Sequence, residues 1–140
     1  MRLYGKLSRT TIKGKAFRDR KGETKHHPDR PGWAITTEPH VVIWIKRIFP
    51  AIDHRQRVHL AVPDTLATCR DLAWVLERFP MTIAPADDAY LRQRAGLQVA
   101  REAAIQEVLS VDYAPPAVEL AVPLRQYQCA AVATCIRCML

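Results

Sequence analysis

Two neighbouring apolar runs, residues 33–37 and 41–49, constrain the fold of this 140-residue chain most strongly. Both runs are rich in the β-branched and aromatic residues that favour strands, and Glu38-Pro39-His40 separates them. They predict two paired strands at the centre of a small sheet. In the second run each face stays apolar up to its basic end, so we expect a helix to cover the sheet.

The N-terminal segments add to this sheet. Residues 2–7 and 10–17 alternate with a period near two and predict the two strands of a hairpin. Residues 18–32 contain almost no apolar side chains, two prolines and two glycines, and should form an exposed loop. His26 and His27 are adjacent in this loop. Because adjacent side chains rarely reach one ion, we interpret them as solvated residues and not as metal ligands.

Three helices are expected after the sheet. Residues 64–78 have Asp64 or Thr65 as an N-cap, and Pro80 ends the helix. Trp74 lies toward the edge of its apolar stripe and should pack rather than stack on bases. The stripe itself should cover the sheet, and it consists of Leu66, Cys69, Leu72, Ala73 and Leu76.

The C-terminal half predicts a long helix over residues 87–109, a proline-containing linker over 111–123 and a last helix over 124–140. The fold class is therefore α+β, with a small, mainly antiparallel sheet packed by helices. We expect a basic accessory domain at residues 1–110, joined by the linker to the last helix.

The net charge of +7 is unevenly distributed. Residues 1–59 contain 14 lysines and arginines against 5 acidic residues, whereas residues 60–140 contain 7 against 9. The basic half is expected to bind a polyanion, and nucleic acid is the commonest one. The alternative is a merely solvated basic face. The candidate phosphate-binding residues are Lys13, Lys15, Arg18, Arg20, Lys21, Lys46 and Arg47.

Phe49 follows the last two of these cations, so this strand end could hold a phosphate and stack a base. The alternative, equally weighted, is a charged strand end with a phenylalanine that fills the core.

Other classes of protein fit the sequence poorly. It has no run of 18 apolar residues and no export signal, so we expect a cytoplasmic protein without a membrane partner. It also lacks a glycine-rich phosphate loop and a credible metal cluster or catalytic triad, which argues against an enzyme with its own site. Cys135 and Cys138 have the spacing of a zinc half-site that Cys129 or a distant histidine could extend, but a second half-site is missing. We therefore interpret these cysteines, with Cys69, as reduced thiols that pack.

Residues 124–128, Leu-Arg-Gln-Tyr-Gln, precede an apolar helix. This segment resembles the start of the motor in superfamily-two helicases and Swi/Snf-type DNA translocases, typically Leu-Arg-Pro-Tyr-Gln. The resemblance implies that Gln128 reads adenine, since an amide offers a donor and an acceptor together, and that Arg125 and Tyr127 flank the base or its phosphates. Gln126 departs from the family pattern, where proline makes the helix entry more rigid.

A second pattern resembles the N-terminal region of phage and bacterial Swi/Snf-like helicases. It comprises Trp33, Ile35 and the ranges 39–43, 46–50, 69–74 and 78–80, in the expected order before the helix at 124. The resemblance implies the N-terminal, catalytically incomplete portion of an ATP-dependent DNA helicase.

In that interpretation the complete helicase binds ATP and Mg²⁺, and this chain binds neither. The expected partners are nucleic acid, DNA rather than RNA, and the missing motor domains. The alternative is a free-standing protein, for instance phage-encoded, that binds or inhibits a host complex or binds nucleic acid.

Overall fold

The computed structural model describes residues 2–110 and 125–139, so the predicted linker at 111–123 lies outside the described residues. The predicted α+β class is confirmed: these residues form a three-stranded antiparallel sheet, a two-stranded sheet and four helices. The strands are β1 (Gly5–Ile12), β2 (Ala16–Arg18), β3 (Thr24–His26), β4 (Arg30–Thr37) and β5 (His59–Pro63). The helices are α1 (Pro39–Ile48), α2 (Leu66–Arg78), α3 (Pro85–Leu109) and α4 (Gln126–Met139).

β1 and β4 form a long hairpin whose register continues into β2 and β3. Ile12 pairs with Arg30, and four residues further along each strand Ala16 pairs with His26. The third strand of the larger sheet, β5, pairs only with residues 32–36 of β4. The hairpin therefore extends past the three-stranded sheet as a two-stranded ribbon, and we call its residues 13–29 the arm.

The predicted strand at residues 41–49 is wrong, because this segment forms α1. Its valines and isoleucines favour a strand locally, but Val41, Val42 and Ile45 are all buried in the core. A strand would place the first two on opposite faces, whereas a helix places all three on one side. Pro39 in the first turn and the two cations in the last turn also suit a helix.

Other parts of the predicted sheet also differ. Residues 2–7 and 10–17 do not pair with each other, since β1 runs without interruption from residue 5 to 12 and its partner is β4. The strand at 33–37 is confirmed as part of β4, and its neighbour is β5, which the sequence analysis did not predict. The predicted loop at 18–32 is exposed up to residue 31 apart from the partly buried Asp19, but it contains β3 and the start of β4.

The predicted helices at 64–78 and 87–109 are confirmed as α2 and α3. The Thr65 hydroxyl caps α2 by accepting a 3.1 Å hydrogen bond from the backbone N–H of Thr68. The buried face of α2 is shifted slightly from the predicted stripe: Thr68 and Val75 are buried, whereas Leu66 and Ala73 are only partly buried. The core formed with the sheet and α1 includes Leu7, Trp33, Ile35, Val41, Ile45, Leu60, Val62, Cys69, Leu72 and Leu91.

The chain divides into two compact units, Met1–Ala95 and Gly96–Leu140, and the boundary falls within α3. The first unit contains the sheet, the arm, α1 and α2. In the second unit Val108 and Ala133 are buried. No helix in the described ranges is long and apolar enough to cross a membrane.

Candidate nucleic-acid interface

The arm carries five of the seven predicted phosphate-binding residues, and the structure leaves all five exposed. Within the described parts of the chain, none of them forms an ion pair with a carboxylate. Their charges are therefore available to an anionic ligand. These residues are Lys13, Lys15, Arg18, Arg20 and Lys21.

Two of the three acidic residues on the arm serve its own structure. Asp19 pairs with Lys25 at 2.8 Å and accepts hydrogen bonds from two backbone N–H groups of the turn, at Lys21 and Glu23. The hydrogen bond from Lys25, supported by these backbone groups, lowers the pKa of Asp19. Asp29 accepts a 2.9 Å hydrogen bond from the backbone N–H of Gly14. These carboxylates fix the shape of the arm without neutralising the five free cations.

A groove of about 500 Å³ lies where the arm leaves the sheet. The regular pairing lapses there, between the pairs Ile12–Arg30 and Ala16–His26, although the N–H of His27 bonds the carbonyl of Lys15 at 3.0 Å. The two strands approach closely at Gly14, where an added Cβ would lie 1.7 Å from the carbonyl oxygen of His27. The groove is lined by Ile12, Lys13, Gly14, Lys15, His27, Pro28 and Arg30.

The rings of Phe17 and His27 stack beside this groove, with centroids 4.3 Å apart and planes 26° apart. Phe17 remains 39% exposed, although it is one of the few apolar residues of the arm. Sequence reasoning missed both rings and Arg30 as site residues. The sequence did offer a signal for Phe17, which is an aromatic residue among the basic residues of this segment.

The two remaining predicted cations lie on α1 and do not line this groove. Lys46 donates a 3.1 Å hydrogen bond to the carbonyl of His54, and the Arg47 guanidinium lies 5.5 Å above the ring of Trp44. Phe49 is partly buried against the core, as in the packing alternative. Because the segment is a helix, the predicted strand end beside Phe49 does not exist.

Arg125, Tyr127 and Gln128 lie at the start of α4. The side-chain oxygen of Gln128 accepts a 2.9 Å hydrogen bond from the backbone N–H of Arg125, which is one half of a capping box. Tyr127 is 66% exposed. The amide oxygen therefore already has a partner within the helix, and reading adenine would require that bond to be exchanged. The adenine-binding role of these residues stays a prediction.

No group of three metal-ligating side chains occurs among the residues that the structure describes. Cys135 is exposed, Cys129 is partly buried, and the side chain of Cys138 lies outside the described part of the chain. Trp74 was expected to pack, but it is 45% exposed, with the Arg78 guanidinium 5.0 Å from its ring centre.

A buried polar cluster lies in the first unit, and the sequence did not indicate it. The side chain of Asp64 is only 2% exposed. Its Oδ1 accepts hydrogen bonds from Trp33 Nε1 and Cys69 Sγ, both at 3.2 Å, and lies 3.3 Å from Arg94 Nε. Its Oδ2 accepts a 2.7 Å hydrogen bond from the Tyr90 hydroxyl.

Burial alone would raise the pKa of Asp64, but these hydrogen bonds and the charge of Arg94 together lower it. A carboxylate that is held ionised and enclosed by its own chain suits a structural role.

No protein-family model, no curated protein and no solved structure matches this chain. The resemblance to Swi/Snf-like helicases therefore rests on the sequence patterns alone.

Proposed function

We propose that this chain is a nucleic-acid-binding accessory region of an ATP-dependent DNA helicase or translocase. The observation that carries the proposal is the arm, a projecting two-stranded ribbon with five exposed cations that have no carboxylate partner in the described residues. A polyanion neutralises such a surface, and nucleic acid supplies a regular row of phosphates.

The binding should be weak and independent of sequence. Lysine and arginine contacts to phosphates position a nucleic acid but carry no direct sequence information. The arm holds six cations against three acidic residues, so its charge favours phosphate binding along its whole length. The affinity should come mainly from counterion release and should fall steeply as salt is added.

The helicase setting is supported by the order of the sequence patterns and by the fact that α4 begins within the Leu-Arg-Gln-Tyr-Gln segment. In the proposed parent protein, ATP and Mg²⁺ bind to motor domains that follow this segment. The chain itself contributes nucleic-acid binding and no hydrolysis.

The proposal is tested by binding to a fluorescein-labelled 20-nucleotide DNA, measured as fluorescence anisotropy at about 50 mM salt. The double variant Arg20→Glu, Lys21→Glu should bind at least about tenfold more weakly, because it removes two phosphate contacts and adds two repulsive charges. The matched control is Arg55→Glu, Arg57→Glu, which makes the same change in net charge at two exposed residues outside the arm. Equal losses in both variants would show a diffuse charge effect and would contradict a binding site on the arm.

A further inference from the structure

The base of the arm combines aromatic rings with cations. Lys13 and Lys15 line the groove at the base of the arm, and Phe17 follows on β2, two residues after Lys15. His27 lies across from Lys15, and its ring stacks on Phe17. Lys25, which pairs with Phe17 in the register, is held there by its ion pair with Asp19.

These cations do not distinguish single-stranded from duplex nucleic acid, because both present phosphates. The ring pair does distinguish them. An unpaired base has free faces that can extend the stack of Phe17 and His27, whereas the bases of a duplex are already stacked on one another. Inserting a ring into a duplex first costs the unstacking of a base step. An exposed aromatic pair therefore favours the single strand.

The groove beside the rings offers a place for the backbone of the same strand. His27 both lines the groove and stacks on Phe17, so a base on the ring pair lies next to the groove. Lys13, Lys15 and Arg30 supply three positive charges along its walls. Its volume of about 500 Å³ lies in the range of about 300–1,000 Å³ that is typical of small-molecule sites.

We infer that the arm binds single-stranded nucleic acid in preference to duplex, with a base stacked on the Phe17–His27 pair and the adjoining phosphates in the groove of Lys13, Lys15 and Arg30. This inference rests on the proposed nucleic-acid binding, and it names the ligand class of that site.

The test compares the same labelled 20-nucleotide DNA as a single strand and as a blunt duplex, at one salt concentration, by fluorescence anisotropy. We expect the full chain to bind the single strand about tenfold more tightly. Phe17→Ala should weaken single-strand binding by about 5- to 140-fold, the range seen when one base-stacking ring is removed, and should leave duplex binding nearly unchanged. Phe17→Trp should restore the preference, because it keeps an aromatic face.

Two controls separate stacking from folding and from general apolar contact. The circular dichroism spectrum of Phe17→Ala should match that of the wild type, since Phe17 lies on an exposed strand of the arm and not in the core. Trp74→Ala removes an exposed aromatic ring on α2 and should leave the strand preference intact.

Equal affinity for the two forms, or tighter binding of the duplex, would overturn the inference and leave the proposed binding function standing. Absence of binding to either form would overturn the proposed function itself. A Phe17→Ala variant that lost affinity for both forms equally would assign the ring to the structure of the arm and would also overturn the inference.

Discussion

The hydroxyl of Tyr90 on α3 donates a 2.7 Å hydrogen bond to the buried carboxylate of Asp64, just after β5. The same carboxylate accepts a hydrogen bond from the indole N–H of Trp33 on β4. One acidic side chain thus joins the sheet to the long helix. The guanidinium of Arg9 on β1 lies 3.9 Å from the centre of the Tyr90 ring, which adds a further contact across the same junction.

Tyr90→Phe should lower the free energy of unfolding of the first unit by about 1.5–3 kcal/mol, because it removes a hydrogen bond to a charged acceptor inside the protein. Urea denaturation followed by tryptophan fluorescence measures this effect, since Trp33, Trp44 and Trp74 all lie in that unit. Tyr127→Phe is the matched control at an exposed tyrosine and should change stability by less than about 0.5 kcal/mol. If Tyr90→Phe lowered the free energy of unfolding by less than about 0.5 kcal/mol, the Asp64 cluster would contribute little to stability.

The lowered pKa of Asp64 predicts a dependence of stability on pH. The pKa of Asp64 in the folded state lies below its unfolded value of about 3.9. The ionised carboxylate therefore stabilises the fold fully above the unfolded pKa, and this stabilisation is lost as the pH falls through the folded pKa. The free energy of unfolding should therefore fall more steeply on acidification below about pH 5 for the wild type than for Asp64→Asn. Parallel pH profiles for the two proteins would contradict the assigned role of the carboxylate.

Two glycines should respond to alanine in opposite ways. A Cβ at Gly5 would lie 2.0 Å from the carbonyl oxygen of Thr36, so Gly5→Ala forces β1 and β4 apart and should cost about 1–3 kcal/mol. At Gly96, within α3, a Cβ meets nothing within 4 Å, and Gly96→Ala should stabilise the helix by about 0.5–1 kcal/mol. Thermal unfolding by circular dichroism tests both. A stabilising Gly5→Ala would show that the two strands are not so close.

Local sequence signals predicted α2 and α3 well, missed α1 and predicted the sheet only in part. The stripe of α2 and the uninterrupted length of α3 are visible in the sequence because both helices follow the helical period. The segment at 41–49 was misassigned because its β-branched residues favour a strand. A helix forms because it buries Val41, Val42 and Ile45 together on one side. Pro39 and the basic last turn were the available signals for α1.

The candidate site was also predictable only in part. The excess of positive charge pointed to the arm, but the continuity of its register did not follow from composition, because it depends on the pairing of residues that are far apart in sequence. The stack of Phe17 on His27 likewise depends on two strands meeting. The Asp64 cluster contains residues from β4, α2 and α3, and local sequence patterns do not predict contacts between such distant residues.

The chain alone should show no ATPase activity and no ATP affinity tighter than about millimolar. Two hydrogen bonds from Gln128 to adenine would give about 0.5–1.5 kcal/mol each, less than the roughly 4 kcal/mol that millimolar binding requires. Its amide oxygen is also already bonded to the N–H of Arg125. Isothermal titration with ATP and Mg²⁺ tests this, and micromolar binding would reveal a nucleotide site elsewhere in the chain.

In a parent protein with a complete motor, the resemblance predicts a different effect at Gln128. Gln128→Ala should raise the ATP concentration needed for activity and affect GTP use less, because guanine presents the opposite donor and acceptor edge. Steady-state hydrolysis of the two nucleotides by the wild type and the variant measures it. Equal losses with ATP and GTP would contradict an adenine-reading role.

The salt dependence of DNA binding tests whether the arm binds the phosphates. With about five phosphate contacts, the slope of log K against log salt should be about −3.5 for a single strand and about −4.5 for a duplex. In the Arg20→Glu, Lys21→Glu variant the single-strand slope should become shallower by at least about 1.4, while Arg55→Glu, Arg57→Glu should keep the wild-type slope. No binding at about 50 mM salt and micromolar protein, or an unchanged slope in the arm variant, would contradict the account.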